Sequence, residues 1–279
     1  MPNRNSKGEM PFLEHVGVLR KHLIRIILGI VAGMIIAGVG WSWIIKVIMA
    51  PLHSDFITFR AFNKMGRMVG LEDMFKGPFD IQSELLNWQF GGQFTSMIGV
   101  GIVAGIIISL PYIVYELFQF IKPGLTSKEK SYANFLMLFT NLFFLLGVAF
   151  SYFMVMPLSV HFMYFFQPFD VSNTWTIASY INVFVQTVLA MGIVFLLPIF
   201  VYFLAQIGIL TPEFMSKYRK HAFVVVLTLA AFITPADLLS MFVAAIPLVL
   251  LYELGIWIVK WVYKNKDKQR LSTTSSTTN

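Results

Sequence analysis

The sequence predicts an all-α integral membrane protein with six transmembrane helices and both termini in the cytoplasm. Three observations carry that prediction: charges are scarce, the charge-free runs are long, and Lys and Arg are unevenly distributed. Of 279 residues, 57% are hydrophobic and only 13% are charged, with a mean hydropathy of +0.72. An ordinary soluble domain carries about 25% charged residues. Too few polar groups exist to cover a soluble globule, and the hydrophobicity excludes disorder for the body of the chain. The absence of Cys excludes disulfides, zinc–thiolate sites, iron–sulfur clusters and a cysteine nucleophile.

Asp, Glu, Lys and Arg are missing from Ile26–Ile45, Leu85–Tyr115, Ser131–Phe169, Val171–Pro212, His221–Ala236 and Leu238–Tyr252. A helix needs about 20 apolar residues to cross a core of about 30 Å at 1.5 Å per residue. The runs therefore predict spans at about 23–46, 94–117, 133–157, 179–208, 221–236 and 239–260, in a single membrane domain over 1–264. The first reads as a span and not a cleaved leader, because no small-residue cleavage site follows it. The third run exceeds one span and is punctuated by Pro157 and Pro168, so Leu158–Phe166 is predicted as a short helix at the interface. The last two spans are short and need local thinning or shielding by neighbours. The apolar runs lack the period-two alternation of membrane β-strands. The loop 47–92 is the largest water-facing piece, and the polar, low-complexity tail 265–279 is predicted to be disordered.

Orientation follows from the basic residues. Arg4, Lys7, Arg20, Lys21 and Arg25 precede the first span; Lys122, Lys128 and Lys130 fill the second loop; Lys217, Arg219 and Lys220 fill the fourth. Lys260, Lys264, Lys266, Lys268 and Arg270 follow the sixth span. The opposite side holds Lys46, Arg60, Lys64, Arg67 and Lys76 in the first loop and none in the third or fifth. The positive-inside rule places both termini in the cytoplasm. The formal charge of +7 is thus topological and needs no nucleic acid to explain it.

Bond-making chemistry is hard to find. No G-x-S-x-G, H-E-x-x-H or Walker loop occurs. His15, His22, His53, His161 and His221 have no ligand spacing and read as interfacial or capping residues. No metal, no cofactor and no enzymatic activity are expected. The 15 Met and 28 Phe are explained by lipid contact and helix packing.

A charge inside a span costs about 2.5–3.5 kcal/mol at the centre, so each acidic residue near the membrane needs a reason. Glu116 lies at the cytoplasmic end of the second span. Glu129 follows Thr126 and Ser127, either of which can cap a helix, with Glu129 then in its first turn, favoured by the dipole. Alternatively, Glu129 is a carboxylate held on a basic surface to receive an Arg fork. Asp237 follows Thr234-Pro235-Ala236, where turn chemistry and capping explain it. Glu253, inside the sixth span, either snorkels to the interface or contacts a partner helix.

Four stretches together resemble the TatC family, the multispanning core of the twin-arginine protein translocase. They are H-V-G-V-L-R-K-H (His15–His22), A-P-L (Ala50–Leu52), P-Y-I-V-Y-E-L-F-Q-F-I-K-P-G-L-T-S-K-E (Pro111–Glu129), and I-T-P-A-D (Ile233–Asp237) followed by A-I-P-L-V-L-L-Y-E-L-G (Ala245–Gly255). The resemblance covers about residues 9–264. It implies a glove-shaped helical bundle in the cell inner membrane that recognises twin-arginine signal peptides on folded cargo. It implies a multimeric complex with TatA/TatB-type single-span partners, driven by the proton-motive force without nucleotide. Phe120 and Glu129 then occupy signal-binding positions, and Arg20 matches the Arg of the N-terminal motif. Pro51 matches the Pro after the first span, and Asp237 and Glu253 match acidic positions near the last two spans. Glu116 is expected to serve partner binding or structure.

The sequence departs from the family pattern twice. The motif usually reads H-L-x-E-L-R, and Val18 stands where its Glu would be; Leu196 stands where Glu or Gln usually precedes the Pro of span four. In a helix, Glu14 lies one turn before Val18 on the same face, about 6 Å along the axis. Glu14 and Glu129 are therefore expected to receive the two arginines of the signal. The competing reading is a small secondary transporter or channel, which calls for intramembrane ionisable residues and internal repeats.

Overall fold

The computed structural model describes the backbone of residues 12–68, 70, 75, 79–122, 127–169, 171–234 and 237–276. It describes the side chains of the same residues except those of 12–15, 127–133 and 267–276. Every regular element among these residues is helical; extended pairing is limited to the isolated bridges His53–Asp80 and Leu86–Thr176. That is the all-α fold expected where lipid leaves backbone groups no partner outside their own segment.

α1 (Phe12–Val39) stops short of the predicted end of the first span. The helix breaks at Gly40, a weak helix former, and α2 (Trp41–Met49) follows as a separate helix. A 3₁₀ turn, Ala50–Leu52, seats the buried Pro51 in its first turn, where a missing N–H costs no bond. Within the loop 47–92, α3 (Ile57–Met68) forms one helix and a short 3₁₀ turn covers Ile81–Glu84. α4 (Gly92–Ile121) carries Pro111 in its interior.

α5 (Ser127–Phe150) passes through a π-helical turn, Ser151–Val155, into α6 (Met156–Phe165). The segment 158–166 is therefore no separate interfacial helix but the continuation of the third span, with Met156–Val160 buried. The reason is Pro157. It removes the donor that would bond the Phe153 carbonyl, the widened turn absorbs the loss, and the Thr58 hydroxyl donates to that carbonyl instead.

α7 (Ile177–Val194) and α8 (Leu197–Gln206) follow, then α9 (Pro212–Lys217), α10 (Arg219–Ile233) and α11 (Leu238–Ser276). α11 runs past residue 264 into the tail that composition predicts as disordered. A helix already running adds one hydrogen bond per residue, and Lys, Gln and Arg favour it. Five stretches among the described residues are long and apolar enough to cross a membrane: Val16–Val39, Gly92–Ile121, Asn134–Phe165, Ile177–Gln206 and Leu238–Lys266. α10, the predicted fifth span, has 15 residues, about 22 Å of helix against a core of about 30 Å.

The chain packs as two compact units. The first contains α1, α4 from Gly101 onward, and α5 as far as Asn141. Here α1 and α4 meet backbone to backbone. A Cβ on Gly33 would lie 2.5 Å from the Gly105 carbonyl oxygen, and one on Gly105 would lie 2.9 Å from that of Ile30. A Cβ on Gly29 would strike the Tyr112 ring at 2.6 Å. Small residues permit this approach, which dispersion then rewards.

The second unit holds the remaining helices and is organised by α11. Ala244, Ala245, Leu248 and Leu251 pack against Val226, Ala230 and Ile233 of α10 and Met191 of α7. Further along the same stripe, Ile256, Val259 and Val262 pack against Val201 and Ala205 of α8. Two tyrosines tie down the end of α2: Tyr152 donates to the Val47 carbonyl at 2.8 Å and Tyr180 to that of Ile48 at 2.6 Å.

Gly105→Leu is expected to force α1 off α4 and abolish accumulation of folded protein in the membrane. Gly17→Ala, where a Cβ meets nothing within 4 Å, is expected to be neutral or to stabilise by about 0.5–1 kcal/mol. Detergent-extracted yield and thermal unfolding of the two variants check both.

Candidate functional site

The side of α1 facing α4 reads Val18, His22, Ile26, Gly29, Gly33 and Ala37, a stripe at helical spacing with one polar residue, His22, that turns small from Gly29 onward. On α4, Tyr112, Glu116 and Phe120 follow one another at intervals of four and share a face. Glu116 is 4% exposed. His22 Nδ1 donates to Glu116 Oε2 at 2.5 Å, and Arg25 Nη1 stands 3.7 Å from the same oxygen. A buried carboxylate is tolerated only when paired and hydrogen-bonded, and His22 and Arg25 meet that need here. The Phe120 ring stands edge-on to the imidazole of His22, centroids 6.1 Å apart.

The cluster is a clamp. It fixes the end of α1 that carries Arg20 against the end of α4 that carries Phe120. Arg20, Lys21 and Arg25 are exposed around it, and Phe120 is half-buried. Of the four residues that the sequence points to for signal binding, the structure thus sets Arg20 and Phe120 at one end of the first unit. Glu14 and Glu129 fall on the helical backbone of α1 and α5, and their side chains lie outside the described residues, as does Thr126.

The other singled-out acidic residues lie in the second unit, each engaged within the chain. Asp237 is 4% exposed; its Oδ1 accepts from the Ser240 N–H at 2.7 Å and its Oδ2 from the Ser240 hydroxyl. It caps α11, as its position in the turn predicts. Glu253 accepts from Arg219 Nη2 at 2.9 Å, joining α11 to the start of α10. Both side chains are about half exposed.

Sequence reasoning missed His22, which reads there as an interfacial or capping residue. The available signal was Glu116 itself: a carboxylate in a span requires a cation, and His22 and Arg25 share one face of the first span near the same membrane boundary. His53, likewise, is held by Asp80 at 3.1 Å and Gln82 at 2.9 Å.

A family model described as "Sec-independent protein translocase protein (TatC)" matches residues 14–247. The chain belongs to the TatC family. It is 39% identical over 265 residues to the TatC of Blattabacterium sp. subsp. Periplaneta americana, covering 94% of this chain and all of that one. It is 31% identical to TatCy of Bacillus subtilis, covering 95% of this chain and 94% of that protein. A crystal structure described as "Twin Arginine Translocase Receptor- TatC" superposes with a TM-score of 0.68 at 28% identity, covering 89% of this chain and 99% of that one. The same receptor in DDM gives 0.69 at 29% identity, covering 88% and 98%. This TatC is accordingly a multi-pass membrane component of the Sec-independent translocase, a transport protein that works in a complex with other Tat subunits.

His22→Ala leaves the Glu116 carboxylate buried without its main partner and is expected to cost on the order of 3 kcal/mol. Pairing His22→Leu with Glu116→Met is expected to recover most of that loss, since the buried carboxylate then leaves with its partner. Thermal unfolding of the variants in detergent measures the difference.

Proposed function

We propose that this protein is the receptor core of the twin-arginine translocase. It binds the paired arginines of signal peptides on folded precursors in the cell inner membrane. TatA/TatB-type partners then join it in a multimeric complex, and the proton-motive force drives export without nucleotide. The reading rests on family membership and on one geometric observation: the Glu116 clamp sets Phe120 and Arg20 at the same end of the first unit.

Phe120 offers a ring face for an apolar or cationic part of the signal. Glu129, in the first turn of α5, supplies a carboxylate whose geometry matches a guanidinium fork. Glu14 supplies a second carboxylate at the start of α1. The exposed Arg20, Lys21 and Arg25 repel cations elsewhere, so a twin-arginine segment settles only where carboxylates receive it. Both termini face the cytoplasm on the Lys and Arg distribution, and α10 serves as the short fifth of six spans, shielded by its neighbours. Pro51, Asp237 and Glu253 act structurally: Asp237 and Glu253 spend their carboxylates on Ser240 and Arg219, and Pro51 shapes the turn after α2.

Photo-crosslinkers placed at positions 120 and 129 in membranes are expected to capture a twin-arginine precursor and to lose it when the pair is replaced by two lysines. No crosslink from either position in folded, inserted protein overturns the assignment. Glu129→Lys is expected to abolish precursor binding, and Glu14→Lys to reduce it strongly; unchanged transport in Glu14→Lys removes Glu14 from the site.

A further inference from the structure

Two of the described cations of the loop 47–92, Arg60 and Lys64, lie on one side of one short helix. On α3, Ile57, Arg60, Ala61, Lys64, Met65 and Met68 recur at helical spacing and form a single face. Ile57 is 56% exposed, Met65 60% and Met68 74%, and Arg60 and Lys64 are exposed between them. The opposite face is held from behind, with Thr58, Phe59 and Gly66 buried and the Phe59 ring among those of Phe75, Phe79 and His161. α3 therefore cannot turn its apolar side inward. A helix that mixes exposed apolar and basic residues on one face suits the plane where acyl chains meet headgroups.

A cleft of about 420 Å³ opens where this face begins. Its apolar lining includes Ile45 and Met49 of α2, together with Phe56 and Ile57. Lys46 and Arg60 line it from the two helices, and neither has an ion-pair partner among the described residues. His53 also lines it, but is already held by Asp80 and Gln82. Asp55 contributes one exposed carboxylate. Among the described residues, two cations without an ion-pair partner against one anion leave the cleft net positive over an apolar floor. Trp43, 69% exposed and one turn before Lys46 on α2, marks the same boundary, since tryptophans concentrate at the headgroup level.

We propose that this cleft is a binding site for an anionic phospholipid. The headgroup phosphate lies between Lys46 and Arg60, and an acyl chain runs along Ile45, Met49 and Ile57. A zwitterionic lipid brings its own cation to the phosphate and gains less from the pair, so the site discriminates by net headgroup charge. Asp55 opposes the bound phosphate and moderates its affinity.

The test is native mass spectrometry of the full-length protein in detergent, titrated with dioleoyl-phosphatidylglycerol, dioleoyl-phosphatidylcholine or inorganic phosphate. Phosphatidylglycerol is expected to bind at least about tenfold more weakly to Lys46→Gln/Arg60→Gln, from the loss of two cations beside the headgroup. Asp55→Asn is expected to bind it more tightly. Lys260→Gln/Lys264→Gln, which removes equal charge elsewhere, is expected to bind it as the parent does. Equal binding of phosphatidylcholine overturns the proposal, as does an unchanged affinity in Lys46→Gln/Arg60→Gln. Competition by inorganic phosphate at the concentration at which the lipid binds also overturns it, because the cleft is then a free-anion site.

Discussion

The seam between α1 and α4 joins two opposite requirements. Over Gly33 and Gly105 the backbones come so close that no side chain fits between them, and at Gly29 the Tyr112 ring fills the space a Cβ would need. Towards the end of the same seam, a carboxylate is enclosed and must be answered. The close approach brings His22 and Arg25 within reach of Glu116, and their pairing in turn holds the two helix ends together. Without the glycines the charges would not meet; without the charges, burial of Glu116 would work against the contact. The seam sets the relative position of Arg20 and Phe120, two of the residues on which signal recognition is proposed to rest.

The second unit solves the lipid's demand for satisfied polar groups by a different route. Three of its departures from regular helix are matched by donors or acceptors of the chain, two of them from distant elements. Pro157 frees a carbonyl and Thr58 takes it; the end of α2 leaves carbonyls at Val47 and Ile48 that Tyr152 and Tyr180 cover. Asp237 closes the open N–H groups of α11. Each long-range bond of this kind fixes one irregular segment, and together they tie the end of α2 and the start of α3 to the helices behind them.

The helices were legible because hydropathy is a property of each residue summed along a short stretch. Long charge-free runs without period-two alternation leave little choice but helix. The capping role of Asp237 was legible for a similar reason, since a cap acts three residues away. Boundaries were less so. Nothing local distinguishes a span that ends at Val39 from one that continues through Gly40, or a Pro157 that stops a helix from one that widens it into a π turn. The partner of Pro157's lost bond sits on α3, far off in sequence. The continuation of α11 to Ser276 shows the converse: a polar composition predicts a tail, yet an established helix carries on through Lys266, Lys268, Gln269, Arg270 and Leu271, which favour it, and past them into Ser and Thr, which do not.

By itself, the sequence determined that this chain is helical, that it lies in a membrane, and, through four motif stretches, that it resembles one family. Those properties are local or additive, so order along the chain suffices to state them. Tertiary structure alone decided which polar groups meet. His22 and Glu116 are 94 residues apart, Arg219 and Glu253 are 34 apart, and the cations of the α2–α3 cleft come from separate helices. A carboxylate announces that it needs a partner; only packing, which brings distant backbones within a few ångströms, names which one.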